Sequence, residues 1–126
     1  MEKQVFASPD GAPAVGPYSP AVGAGDFVFV SGQVPLDRDG KIHGYTPKEQ
    51  ARKALENLTA TLAAAGLTPD DVVKTTIFLK DMDEFAAVND VYAEFFTQPY
   101  PARSTVEVAR LPKDLHVEIE AIAYRG

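Results

Sequence analysis

Arg103, Thr105 and Glu107 occupy alternate positions of the run Pro101-Ala102-Arg103-Ser104-Thr105-Val106-Glu107-Val108-Ala109-Arg110-Leu111-Pro112, and His116, Glu118 and Glu120 alternate in the segment that follows. Val106 and Val108 in the first segment, and Val117, Ile119 and Ala121 in the second, alternate with polar residues, so both segments read as strands of period two. Alternate side chains of a strand share a face. The planar fork of an arginine matches a carboxylate, and a glutamate close by can take and return protons. Arg103 with Glu118 is therefore a candidate site for a small carboxylate substrate. Arg103 also reads as a surface or interface arginine paired with a glutamate, and Glu118 as a solvated or paired carboxylate. Glu120 shares the Glu118 face and fits either role.

Further groups could join such a site. In Gly16-Pro17-Tyr18-Ser19-Pro20, prolines stiffen the backbone around Tyr18 and could aim its ring, or the ring packs under the loop. Ser31-Gly32-Gln33 closes an apolar strand. A glycine there permits close backbone approach by a ligand, and strand-end amides bind anions; a plain turn or bulge is the alternative.

Several chemistries are excluded or disfavoured. The chain has no cysteine, so disulfides, thiolate catalysis and cysteine-based metal sites are absent. His43 and His116 lack metal-ligand spacing. Gly23-Ala24-Gly25 precedes a strand rather than a helix, so it is no dinucleotide loop. There is no Walker pattern and no GxSxG elbow. Paired carboxylates would suit glycoside hydrolysis, but no aromatic sugar platform accompanies them. What remains is arginine, glutamate, tyrosine, hydroxyls, backbone and water, with no cofactor expected.

The elements that must position these groups are legible in outline. At 126 residues and 45% hydrophobic content the chain fits one domain over 1–126 with a real core. Its net charge of −6 argues against a nucleic-acid surface or an anionic-membrane surface. Met1-Glu2-Lys3-Gln4 lacks a signal-peptide layout and no apolar run reaches spanning length, so a cytoplasmic protein is expected. Phe27-Val28-Phe29-Val30 reads as a buried strand that stops at Ser31-Gly32-Gln33, and Asp39-Gly40 as a turn. Thr46, Pro47 and Glu49 start a helix whose stripe is Ala51, Ala54, Leu55, Leu58, Leu62 and Ala65, closed by Gly66. A single turn at Thr68-Pro69-Asp70-Asp71 leads to a strand over Val72–Lys80 with Val73, Thr75, Ile77 and Leu79 on one side. A second helix from Asp81 or Asp83 carries Phe85, Val88, Val91, Tyr92, Phe95 and Phe96 to Pro99 and Pro101. This order predicts an α+β fold, one sheet with two helices on one face. The uncovered face would be apolar, which predicts association of subunits through it and a barrel-like centre.

The blocks Gly16-Pro17-Tyr18-Ser19-Pro20-Ala21, Val30-Ser31-Gly32-Gln33, Phe85-Ala86-Ala87-Val88-Asn89, and Pro101-Ala102-Arg103-Ser104 through Ile119-Glu120-Ala121 closely resemble the RidA/YjgF family of reactive-intermediate deaminases. The resemblance implies a chorismate-mutase-like domain assembled as a homotrimer around a central barrel, with sites in clefts between subunits. It implies cofactor-free hydrolysis of 2-imino acids and their enamine tautomers, such as 2-iminopropanoate and 2-iminobutanoate, to 2-oxo acids and ammonia, downstream of pyridoxal-phosphate enzymes. By position, Arg103 matches the substrate-carboxylate arginine and Glu118 the glutamate of the catalytic water. Tyr18, Ser31 and Gly32 match cleft-lining positions, and Phe85 and Asn89 line the cleft from the same or a neighbouring subunit. Thr105 stands where many relatives carry cysteine; its backbone can still serve, and no thiol nucleophile is needed. Two other classes stay open: a trimer that binds small carboxylates without turnover, and the RNA cleavage or translation inhibition attributed to family members, which the acidic balance disfavours. Turnover of a 2-imino acid should be unchanged by EDTA. Activity lost to chelator and restored by one added metal would overturn the metal-free expectation.

Overall fold

The computed structural model describes residues 2–126. Six strands, β1 (Gln4–Phe6), β2 (Ala21–Ala24), β3 (Phe27–Gln33), β4 (Val72–Leu79), β5 (Ala102–Glu107) and β6 (Val117–Tyr124), form one sheet in the order β1-β2-β3-β6-β4-β5. Two helices, α1 (Pro47–Ala64) and α2 (Phe85–Phe95), complete the expected α+β architecture. All neighbouring strands are antiparallel except β4 and β5, which run parallel because α2 carries the chain back between them.

The first helix begins as its sequence dictates. Thr46 accepts from the Glu49 amide at 3.1 Å, and the Glu49 carboxylate accepts from the Thr46 amide at 3.1 Å. Ala51, Ala54, Leu55, Leu58 and Leu62 are buried, packed on Val28, Val30, Ile77, Val117, Ile119 and the inner residues of α2. Gly66 adopts a φ of 77°, where a side chain would be strained, and so ends the helix. A 3-10 turn at Pro69–Asp71 follows, as expected. Before α2, Asp81 caps a separate 3-10 turn, Met82–Glu84, so the helix proper starts at Phe85.

The strands depart from the sequence reading in four places. The apolar run at Phe27 is not buried throughout: Val28 and Val30 face the helices, while Phe27 and Phe29 are 40% and 47% exposed on the other side. β3 does not stop at Ser31 but continues through Gln33, with its register broken between Val30 and Gln33. In β4 a bulge between Val72 and Lys74 shifts the phase, so Val72 rather than Val73 joins Thr75, Ile77 and Leu79 inside. His116 lies just before β6, and its ring pairs with Glu84 at 2.9 Å, so it does not join Glu118 and Glu120. The periodicity also did not single out β1 and β2.

Both helices lie on the face bearing Val28, Val30, Ile77, Val117 and Ile119. The other face is open. Val5, Val22, Phe29 and Ile122 form a row across β1, β2, β3 and β6, with Phe27 and Tyr124 beside it, rings 5.5 Å apart edge to face. Among the described residues no helix is long and apolar enough to cross a membrane.

One buried polar group holds the connection after β3. Asn57 on α1 is buried, and its amide donates to the carbonyls of Val34 (2.8 Å) and Leu36 (2.9 Å). Asn57→Ala strands both carbonyls and should cost about 2–4 kcal/mol, read as a lowered urea midpoint. A midpoint equal to wild type would show that water replaces the amide.

Candidate active site

The residues expected to do chemistry fall into two groups. The first sits where β5 meets α2. Arg103 pairs in register with Thr75 of β4, which is fully buried on the helix side, so Arg103 points towards α2. There its guanidinium donates to Asn89 Oδ1 at 2.8 Å and lies over two rings, 4.8 Å from the Tyr92 centroid and 5.4 Å from that of Phe85. Phe85, Asn89 and Tyr92 meet it together because spacings of four and three place them on one helix face. Thr105, two residues along β5, shares the Arg103 face and is half-buried. A cleft of about 460 Å³ opens here, lined by Asn89, Tyr92, Ala93, Tyr100, Pro101 and Arg103. The arginine is thus desolvated on one side and held by a neutral partner, and among the described residues no carboxylate pairs it.

The second group lies on the open face. Glu118 is opposite Phe78 of β4, and Glu120 is opposite Thr76. Both point away from the helices, because Val117, Ile119 and Ala121 point towards them. A Cβ on Gly32 would collide with the Glu118 carboxyl, its Cδ lying only 2.6 Å away. The close approach that this glycine permits is therefore that of Glu118. Ser31 ties the preceding loop to β3: its hydroxyl donates to Ser19 O at 2.6 Å and its amide to Pro20 O at 2.9 Å. Tyr18 is half-exposed, its hydroxyl accepts from the Val15 amide at 3.3 Å, and it lines a shallow depression with Gly32. Gly16 supports this loop at a φ of 124°. Burial pushes the Glu118 carboxyl above the ordinary carboxylate range, and the charge of Glu120 adds to the shift.

Arg103 and Glu118 therefore lie on opposite faces of the sheet, and one chain does not bring them together. It unites Arg103, Asn89, Phe85 and Thr105 on one side and sets Glu118 against Gly32 on the other, with Tyr18 sharing a depression with Gly32 and Ser31 next to it in β3. Two residues beneath Arg103 were not expected as part of a site: Tyr92, read as core, and Thr75, whose hydroxyl meets the Tyr92 hydroxyl at 2.7 Å. The i, i+4, i+7 spacing of Phe85, Asn89 and Tyr92 carried the signal for the first; nothing local carried it for the second. Among the described residues no cluster of three or more His, Cys, Asp or Glu could hold a metal ion.

A family model described as endoribonuclease L-PSP matches residues 10–125. A RutC family protein of Pyrococcus horikoshii is 50% identical over 124 residues, covering 98% of both chains. The 2-iminobutanoate/2-iminopropanoate deaminase of Salmonella typhimurium is 48% identical over 125 residues, 97% of this chain and 98% of that protein. The crystal structure of Escherichia coli TdcF with bound serine superposes with a TM-score of 0.91 at 44% identity, covering 98% of this chain and 99% of that one. With near-complete coverage by the family model and by relatives at this identity, the chain belongs to the RidA/YjgF family, whose model bears the endoribonuclease L-PSP description.

Proposed function

We propose that the protein is a hydrolytic deaminase that converts small 2-imino acids to 2-oxo acids and ammonia, in sites formed between copies of the chain. The observation that carries this reading is the separation of Arg103 and Glu118 on opposite faces, beside an uncovered apolar sheet. Docking of one subunit's open face against the β5 edge of the next would place the Arg103 cleft of one beside the Glu118 group of the other. A heterologous contact of this kind closes into a ring, and a homotrimer is the assembly that the family resemblance favours. Relatives named 2-iminobutanoate/2-iminopropanoate deaminase support the substrate class. So does TdcF, solved with serine, an amino acid bearing the carboxylate that Arg103 would hold.

The chemistry follows from the parts. Arg103 takes the substrate carboxylate bidentately and fixes the adjacent C=N carbon. Glu118 accepts a proton from water as the water oxygen bonds to that carbon, and passes it to the nitrogen to give a neutral carbinolamine. It then takes the carbinolamine hydroxyl proton as the C=O bond forms and the C–N bond breaks, and hands that proton to the departing nitrogen, which leaves as ammonia. The raised proton affinity of Glu118 suits a group that must both take and return a proton. Tyr18 and Ser31 supply hydroxyls near the Glu118 side, and Phe85, Asn89 and Thr105 surround the arginine. RNA cleavage, the activity in the family description, is less favoured by a chain of net charge −6.

The assembly is tested by complementation. Arg103→Ala and Glu118→Gln should each abolish most turnover of 2-iminobutanoate generated in situ. Denaturing the two together and refolding them mixed should restore about a quarter of wild-type activity, since a random pairing joins one intact Arg103 with one intact Glu118 that often. A mixture as inactive as its parents would place the whole site within one chain or elsewhere.

Glu118→Gln makes a second prediction. Folded chains bind the Glu118 proton more tightly than unfolded ones, so stability falls as pH rises from the ordinary glutamate range through the raised value. The variant should lose about 10²–10⁴-fold in turnover yet melt above wild type at pH 7. The gap should close in acid, where the wild-type carboxyl is protonated in both states. Normal turnover would move the proton to Glu120 or to a water chain.

A further inference from the structure

We propose that Tyr92 and Asn89, in the wall of the Arg103 cleft, are positioning residues that aim Arg103 at the substrate carboxylate. The inference rests on the carboxylate role proposed for Arg103. An arginine side chain has four rotatable bonds, and a bidentate contact needs its fork in one plane. Two contacts from α2 restrict it here. Asn89 offers its Oδ1, a neutral acceptor at 2.8 Å, which orients the fork without neutralising it. Tyr92 offers its ring face 4.8 Å from the guanidinium carbon, within cation–π range.

The ring is itself fixed. Tyr92 is 6% exposed, and its hydroxyl shares a 2.7 Å hydrogen bond with Thr75, which is fully buried. Thr75 is the register partner of Arg103 in the parallel β4–β5 pair. The strand pairing that places Arg103 thus also places the anchor of the ring beneath it. Phe96 packs against the Tyr92 ring at 4.5 Å between centroids. A carboxylate at the position of Asn89 would instead form an ion pair and compete with the substrate.

The readout is the discrimination between a charged and a neutral ligand. Calorimetry on the assembled protein gives the affinities of 2-oxobutanoate and 2-oxobutanamide, and their ratio reports how well Arg103 meets a carboxylate. Tyr92→Met fills the volume without a ring face and should lower the ratio about 5- to 30-fold. Asn89→Ala, at a less buried position, should lower it several-fold, and it carries the test if Tyr92→Met does not fold. Tyr92→Phe keeps the ring and should retain most of the ratio. In an Arg103→Lys background neither Tyr92→Met nor Asn89→Ala should lower the ratio further. A wild-type ratio in folded Tyr92→Met or Asn89→Ala, a Tyr92→Phe loss as large as that of Tyr92→Met, or an undiminished effect in the Arg103→Lys background would each overturn the proposal. A wild-type protein that discriminates between the ligands but hydrolyses no imine would overturn the deaminase reading and leave this one standing. One that does not discriminate would overturn both.

Discussion

Side chains of a strand alternate between two faces, and in this sheet the two faces have different fates. One is covered by α1 and α2 and holds the core. The other carries Phe27, Phe29 and Tyr124 in the open, with Ile122 half-buried among them. Both charged groups of chemical interest, Arg103 and Glu118, inherit their places from that alternation. Arg103 follows Thr75 to the helix side, where only uncharged partners await it. Glu118 follows Phe78 to the open side, where partial burial and Glu120 raise its proton affinity. The bulges in β3 and β4 adjust the phase locally without exchanging the faces.

Local signals were read well because they act over a few residues. The Thr46–Glu49 box and the alanine–leucine stripe define α1 within its own length, and the observed hydrogen bonds and burial follow them. Period two located β6 and its inner face for the same reason. The phase of β4 departs from simple alternation because a bulge at Val72–Lys74 leaves no mark in a run of valines and threonines. Ser31-Gly32 resembles a turn and so reads as a strand end. Gly32 is instead needed inside the strand, where Glu118 crosses it.

The candidate residues could be named from their motifs, but not their grouping. Whether Arg103 and Glu118 share a face depends on how β5 and β6 each register against β4, one parallel and one antiparallel. No feature of either strand encodes that relation alone. Thr75 shows the same limit: as a threonine in an apolar strand it is unremarked until the register sets it beside Arg103 and under Tyr92. Family membership names the kind of chemistry to look for. The register decides which residues of one chain can take part in it together.

The opposed placement of Arg103 and Glu118 has a consequence for the folding chain. A flexible arginine and a glutamate in one pocket tend to collapse onto each other, and the resulting ion pair quenches both. Here the sheet acts as an insulating wall one backbone thick. The folded chain has no route to short-circuit Arg103 through Glu118, so neither charge neutralises the other within it.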